Sequence, residues 1–149
     1  MDSETIYFPT QSPGVPYGTV SYSNFSNPGA TWTSVGSSAT GTGNYGVTYS
    51  SGSLTFNIPG IYIVTASLTL ISGTTNDVKS VGFSVNGSFS NSNICQSSYM
   101  TYAAALGQYY TISGSVCQGY ATGSVIHTYA WTQTAATIQC SLAAALLTS

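Results

Sequence analysis

SLTFNIPGIYIVTASLTLI, residues 53–71, is the stretch whose reading decides the fold. Leu54, Phe56 and Ile58 alternate with polar residues, the period of a strand with one buried face. Pro59-Gly60 interrupts the run, because proline sets φ and glycine accepts conformations closed to other residues. Beyond it, Tyr62, Val64, Ala66, Leu68 and Leu70 share one face. Ile61, Ile63 and Ile71 lie on the other, with Thr65, Ser67 and Thr69 between them. The pattern predicts a short strand, a tight turn and a long strand. A strand apolar on one face and partly apolar on the other belongs deep in a sheet, not at a free edge.

Outward from this stretch the signals remain those of strands. Tyr45, Val47 and Tyr49 alternate, and Ser50-Ser51-Gly52 turns into the central stretch. Residues 30–35 predict a first strand around Trp32, and residues 36–44 a Gly/Ser/Thr connection. On the other side, residues 72–77 read as a turn, and Val81, Phe83 and Val85 alternate over residues 78–85. Asn86-Gly87 is a strong hairpin signal. A weakly patterned return strand is expected over residues 88–95. Residues 97–106 allow a helical turn by propensity, but no cap precedes them and they are assigned to strand. Tyr110, Ile112 and Val116 share a face. Residues 124–132 place Val125, His127, Tyr129 and Trp131 on one face and Ile126, Thr128 and Ala130 on the other. Residues 137–147 are apolar enough for a central strand, and their alanines allow close sheet or subunit contact. The expectation is an all-β sandwich of about eight to ten strands.

The length is that of one domain with room for a core. Its only charged residues are Asp2, Glu4, Asp77 and Lys79, whereas ordinary soluble domains are about a quarter charged. Twelve tyrosines, five phenylalanines and two tryptophans provide core material, so low charge here does not signal disorder. A surface without charge repulsion favours association, and an obligate oligomer or a member of a larger assembly is expected. One lysine cannot neutralise several phosphates, which argues against nucleic acid. No run approaches the roughly 18 apolar residues of a membrane span, and the first residues lack the basic and apolar regions of a signal peptide.

Residues 1–29 are the least regular part, interrupted by Pro9, Pro13, Pro16 and Pro28. Two readings stand for them: a frayed tail, or an extended arm along a neighbouring subunit or partner. Tyr7, Phe8, Tyr17, Tyr22 and Phe25 favour the arm. Ile6, Tyr7 and Phe8 are its candidate anchors. Residues 30–149 would form the folded domain. The odd number of cysteines, Cys95, Cys117 and Cys140, leaves at least one outside any bridge within the chain. Buried thiols are the preferred reading, with a Cys117–Cys140 bridge left open.

YSSGSLTFNIPGIYIV, residues 49–64, resembles a segment of the tumour necrosis factor and complement globular-head family. There a tyrosine, a turn and a Phe-containing strand precede Pro-Gly-x-Tyr-x-(apolar). Residues 81–87, ending Val-Asn-Gly, are similar to that family's next strand and turn. Residues 123–131 resemble its Gly-Asp-x-(apolar) strand, with Ser124 in place of the acid. The resemblance covers residues 30–149. It implies an antiparallel two-sheet jelly-roll sandwich that assembles as a homotrimer and buries an aromatic-rich face between subunits. Tyr62, Tyr129 and Trp131 are the candidates for that face by position. The alternative for each is an aromatic of the chain's own core. Too few acids are present for a calcium site of the family type. The low-charge, Ser/Thr/Asn-rich character looks more like members on virus shells, phage fibres and spore surfaces.

Chemistry is sparse. His127 is the only histidine, so no catalytic triad or histidine metal cluster forms within one chain. Symmetry mates could bring three copies of it together, but a hydrogen-bonded core or interface histidine is preferred. Asp77 and Lys79 read as a solvated pair. Neither an enzyme, a cofactor nor a metal is expected. The expected function is that of a structural, capsid-associated or surface protein of a virion or other extracellular proteinaceous shell. Its partners would be copies of itself and neighbouring capsid or spike proteins. The alternative is a glycan- or receptor-binding head in which Trp32 or Tyr45 stacks on a ligand.

Overall fold

In the computed structural model, which describes residues 14–35, 39–72, 79–86 and 110–149, the deciding stretch becomes two strands in two different sheets. β5 (Ser53–Phe56) and β6 (Gly60–Ser72) are not paired with each other. The residues around Pro59 carry the chain across the sandwich rather than closing a hairpin. Leu54, Phe56, Tyr62, Val64, Ala66 and Leu68 are all buried, as their alternation predicts.

The remaining described elements are β1 (Tyr17–Asn27), β2 (Thr33–Ser34), β3 (Thr40–Gly43), β4 (Val47–Ser50), β7 (Lys79–Val85), β8 (Tyr110–Tyr120), β9 (Val125–Thr132) and β10 (Ala136–Thr148). The first sheet has the order β3-β1-β10-β6-β8. In the second, β9 pairs with β7 along one side. Its other side is shared by β5, opposite residues 125–127, and β2, opposite residues 129–130. β4 completes this sheet beside β5. Every pairing is antiparallel. This is an all-β, two-sheet jelly-roll sandwich with no helix among the described residues.

Three expectations need correction. Residues 17–27, assigned to an N-terminal arm, form β1 inside the first sheet between β3 and β10. Val20 and Tyr22 point into the core, then a bulge between Tyr22 and Phe25 adds a residue and reverses the alternation. Asn24 takes the positive φ of 56° there. The bulge hides the strand's period. Residues 40–43, read as a connection, form edge strand β3, which carries no apolar side chain to announce it. The strand expected around Trp32 shrinks to two residues. The anchors Ile6, Tyr7 and Phe8, the return strand over 88–95 and residues 97–106 lie outside the described residues.

The core fills the space between the sheets. At one end Phe56, Tyr62 and Tyr120 form an aromatic cluster, with centroids 4.3 Å apart for Phe56–Tyr62 and 4.5 Å for Phe56–Tyr120. At the other end Asn27 joins the sheets: its Nδ2 donates to the Ala130 carbonyl at 3.1 Å, and its Oδ1 accepts from the Gly29 N–H and the Thr132 hydroxyl. Asn27 is fully buried, so this satisfied network contributes to a single inter-sheet geometry. Ser51 and Gly52, with φ of 45° and 82°, make the tight turn between β4 and β5. Asn86 also has a positive φ, 53°, and bonds Val125 through both its backbone N–H and its side-chain oxygen.

Candidate subunit interface

The long strands of the first sheet direct alternate residues away from the core. The outward set is Tyr17, Thr19 and Ser21 on β1, Gln139, Ser141, Ala143, Ala145 and Leu147 on β10, the odd residues 61–71 on β6, and the odd residues 111–119 on β8. None is charged. Toward one end the face is built of hydroxyls that bond directly across the strands. Thr65 meets Ser115 at 2.7 Å, Ser67 meets Ser141 at 2.6 Å and Thr69 meets Thr111 at 2.7 Å. Thr19–Thr42 and Ser21–Thr40 continue the pattern toward β3. These groups satisfy one another, so covering them leaves fewer hydrogen bonds unmade than covering water-dependent hydroxyls would.

Toward the other end the face is apolar. Of the exposed large apolar side chains among the described residues, Val15, Tyr17, Ile61, Ile63 and Leu147 gather here, with Tyr45 of the β3–β4 turn at the same end, its hydroxyl on the Gly14 carbonyl. The register explains the gathering: Tyr17 stands opposite Ala145, Ala145 opposite Ile63, and Ile63 opposite Cys117. Ala143 and Ala145 are too short to fill the space between taller neighbours on β1 and β6. The result is a trough of about 210 Å³ lined by Tyr17, Thr19, Ile63, Thr65, Ala143 and Ala145.

The outward face of the second sheet differs. Along β9 it presents Val125, His127, Tyr129 and Trp131, all half-buried. His127 stands opposite Ser53 on β5 and Ser84 on β7. Among the described residues no group of three or more His, Cys, Asp or Glu could hold a metal ion.

The aromatics singled out from the sequence are therefore separated. Tyr62 is 0% exposed, packed on Phe56, with its hydroxyl donating to the Ile58 carbonyl at 2.8 Å. Burial, and then Tyr45, raise its pKa. It belongs to the chain's own core and has no surface to offer a second subunit. Tyr129 and Trp131 do reach the surface, on the sheet opposite the apolar end. The sequence contained the signal for the better face: Ile61 and Ile63 stand on the side of β6 that does not face the core. Tyr45 projects from the β3–β4 turn, and Trp32 is half-buried beside β2.

The described cysteines do not form the bridge left open above. Cys117 is a free thiol on the outward face of the first sheet, while Cys140 is a free thiol in the core. Burial pushes the Cys140 thiol up to about 12. Tyr22, whose hydroxyl donates to the Gly52 carbonyl at 3.2 Å, is likewise raised by burial, with Tyr49 and Cys140 adding to the effect.

The two-sheet jelly roll is similar in fold to solved structures of tumour necrosis factor, complement globular-head and virion vertex proteins. The PRD1 vertex protein P5 is similar, with a TM-score of 0.62 and 18% identity over 89% of this chain and 98% of that one. The globular domain of zebrafish complement 1qA protein gives a TM-score of 0.59 and 12% identity, over 89% of this chain and 97% of that one. Eiger TNF from S. frugiperda gives 0.54 and 9%, over 90% and 94%. These likenesses are of fold. No protein-family model and no curated protein matches the sequence.

Proposed function

We propose that the chain is a non-enzymatic structural protein of a virion surface, assembling as a homotrimer through the outward face of its first sheet. Residues 1–13, with Ile6, Tyr7 and Phe8, would attach it to a neighbouring capsid or spike protein. The observation that carries the trimer is the uncharged face itself, with exposed apolar side chains gathered at one end and mutually satisfied hydroxyls at the other. Its size supports the reading. Four strands of at least 11 residues, β1, β10, β6 and β8, at about 3.3 Å per residue and about 4.8 Å per strand, cover about 700 Å². A standard interface buries about 800 Å² per partner. The likeness to a vertex protein supports the particle-surface setting.

The test has two arms. Light scattering of the full chain is expected to give a trimer, and Ile63→Asp to give a single chain. Binding of purified coat proteins is expected to be lost when residues 1–13 are removed, while the trimer persists. A second reading, a glycan- or receptor-binding head, is favoured by exposed Tyr45 with Asn57 beside it. It requires binding that Tyr45→Ala abolishes.

A further inference from the structure

Just ahead of β1 the chain is gripped at successive residues. The Gly14 carbonyl accepts the Tyr45 hydroxyl at 3.0 Å, and the Val15 carbonyl accepts Asn44 Nδ2 at 2.8 Å. The Pro16 carbonyl accepts the Leu146 N–H at 2.9 Å. The Tyr17 N–H donates to Asn44 Oδ1 at 3.1 Å, and its carbonyl accepts the Asn44 backbone N–H at 3.1 Å. Asn44 Oδ1 also accepts the Gly46 N–H at 3.2 Å, which fixes the side chain from within its own turn. Gly46 lies against the Pro16 ring so closely that a Cβ there would collide with it.

From this we infer that the β3–β4 turn is a clasp, with Asn44 as its positioning residue, that makes residues 14–17 a fixed exit for the N-terminal segment. The inference rests on the reading of residues 1–13 as an attachment arm. The ends of strands ordinarily open first and at little cost. A pull on an unpinned β1 would part it from β3 and β10 one pair at a time. With the exit held by the turn on one side and by β10 on the other, the load is shared across the sheet. The amide side chain suits this role. An asparagine offers a donor and an acceptor together, so one residue can grip a carbonyl and an N–H two positions apart. Aspartate would lose the donor to Val15, and serine would not span the gap.

Chymotrypsin digestion of the full chain carrying Ile63→Asp, a single chain in which no second copy covers Tyr17, with fragments identified by mass, tests the clasp directly. The Tyr17–Gly18 bond is the reporter, and the Tyr22–Ser23 bond in the same strand is the control. Asn44→Ala is expected to speed cleavage at Tyr17 by about tenfold or more, the signature of local opening, with little change at Tyr22. Tyr45→Phe, which removes one hydroxyl, is expected to give a smaller change in the same direction. Gly46→Ala should match Asn44→Ala, because its methyl group pushes Pro16 out. Unchanged cleavage at Tyr17 in Asn44→Ala, or equal acceleration at both bonds, would overturn the clasp. Attachment to coat protein is measured separately with residues 1–13 removed. If that deletion leaves attachment intact, the arm reading fails, while the cleavage pattern still reports on the clasp.

Discussion

The two outward faces of the sandwich are made by the same alternation, yet they are dressed differently. On the first sheet the exposed positions carry small residues, paired hydroxyls and a few aliphatic side chains at one end. On the second, β9 lines up His127, Tyr129 and Trp131, each half-buried against its own sheet. Aromatic content alone would nominate the second face as the sticky one. The exposed apolar surface nominates the first. A half-buried ring has already hidden much of its apolar area. Ile61 and Ile63 stand in the open, so a partner covering them would bury area that folding has left exposed.

The comparison breaks most visibly at Tyr62. If Tyr62 is core, Tyr62→Ala should destabilise the fold by about 3–5 kcal/mol, read as a lower midpoint in urea for any oligomeric state. If it were an interface residue, the change would appear mainly as loss of association in a chain that stays folded. Next comes the face itself. Ile63→Asp on the first sheet should abolish the trimer, and Ala145→Trp, which overfills the trough, should weaken it. Trp131→Ala on the second sheet should leave the solution mass unchanged.

The titration of buried groups sharpens the contrast between core and faces. Cys140 and Tyr22 are held neutral by burial, so each has a higher pKa folded than unfolded. Their contribution is fully present below the unfolded values and is lost as pH rises through the folded ones. For Cys140 that window opens near 9.0, its ordinary value, and closes at about 12. Urea midpoints should therefore fall across this range, and Cys140→Val should reduce the slope. A smaller effect is expected at Thr128, whose buried hydroxyl has no hydrogen-bond partner among the described residues. Thr128→Val should raise stability by about 1 kcal/mol, the relief of desolvating an unpaired hydroxyl. The smallest effect should be that of salt. With no charge on the first sheet's outward face, raising salt to about 0.5 M should not dissociate the trimer.

Legibility in the sequence followed the regularity of each strand. β6 and β9 read cleanly because their alternation runs unbroken, and β10 because its apolar content suits a central place between β1 and β6. β1 was obscured by a single extra residue that moves the inward set from Val20 and Tyr22 to Phe25 and Asn27. β3 was invisible because Thr-Gly-Thr-Gly is held by pairing with β1 and not by burial of its own side chains. The candidate interface was half legible. Uncharged composition pointed to association, and Ile61 and Ile63 were in plain view. What the sequence could not show was that Tyr62 would be claimed by Phe56 across the sandwich and by Tyr120 on the neighbouring strand.

The most direct measurement is solution mass by light scattering, on the full chain, Ile63→Asp and Trp131→Ala side by side. A trimer for the full chain and for Trp131→Ala, with a folded single chain for Ile63→Asp, is the expected result. A trimer that survives Ile63→Asp and dissociates with Trp131→Ala would contradict the assignment of the first sheet as the interface. A single-chain mass for the unaltered protein would contradict the trimer itself.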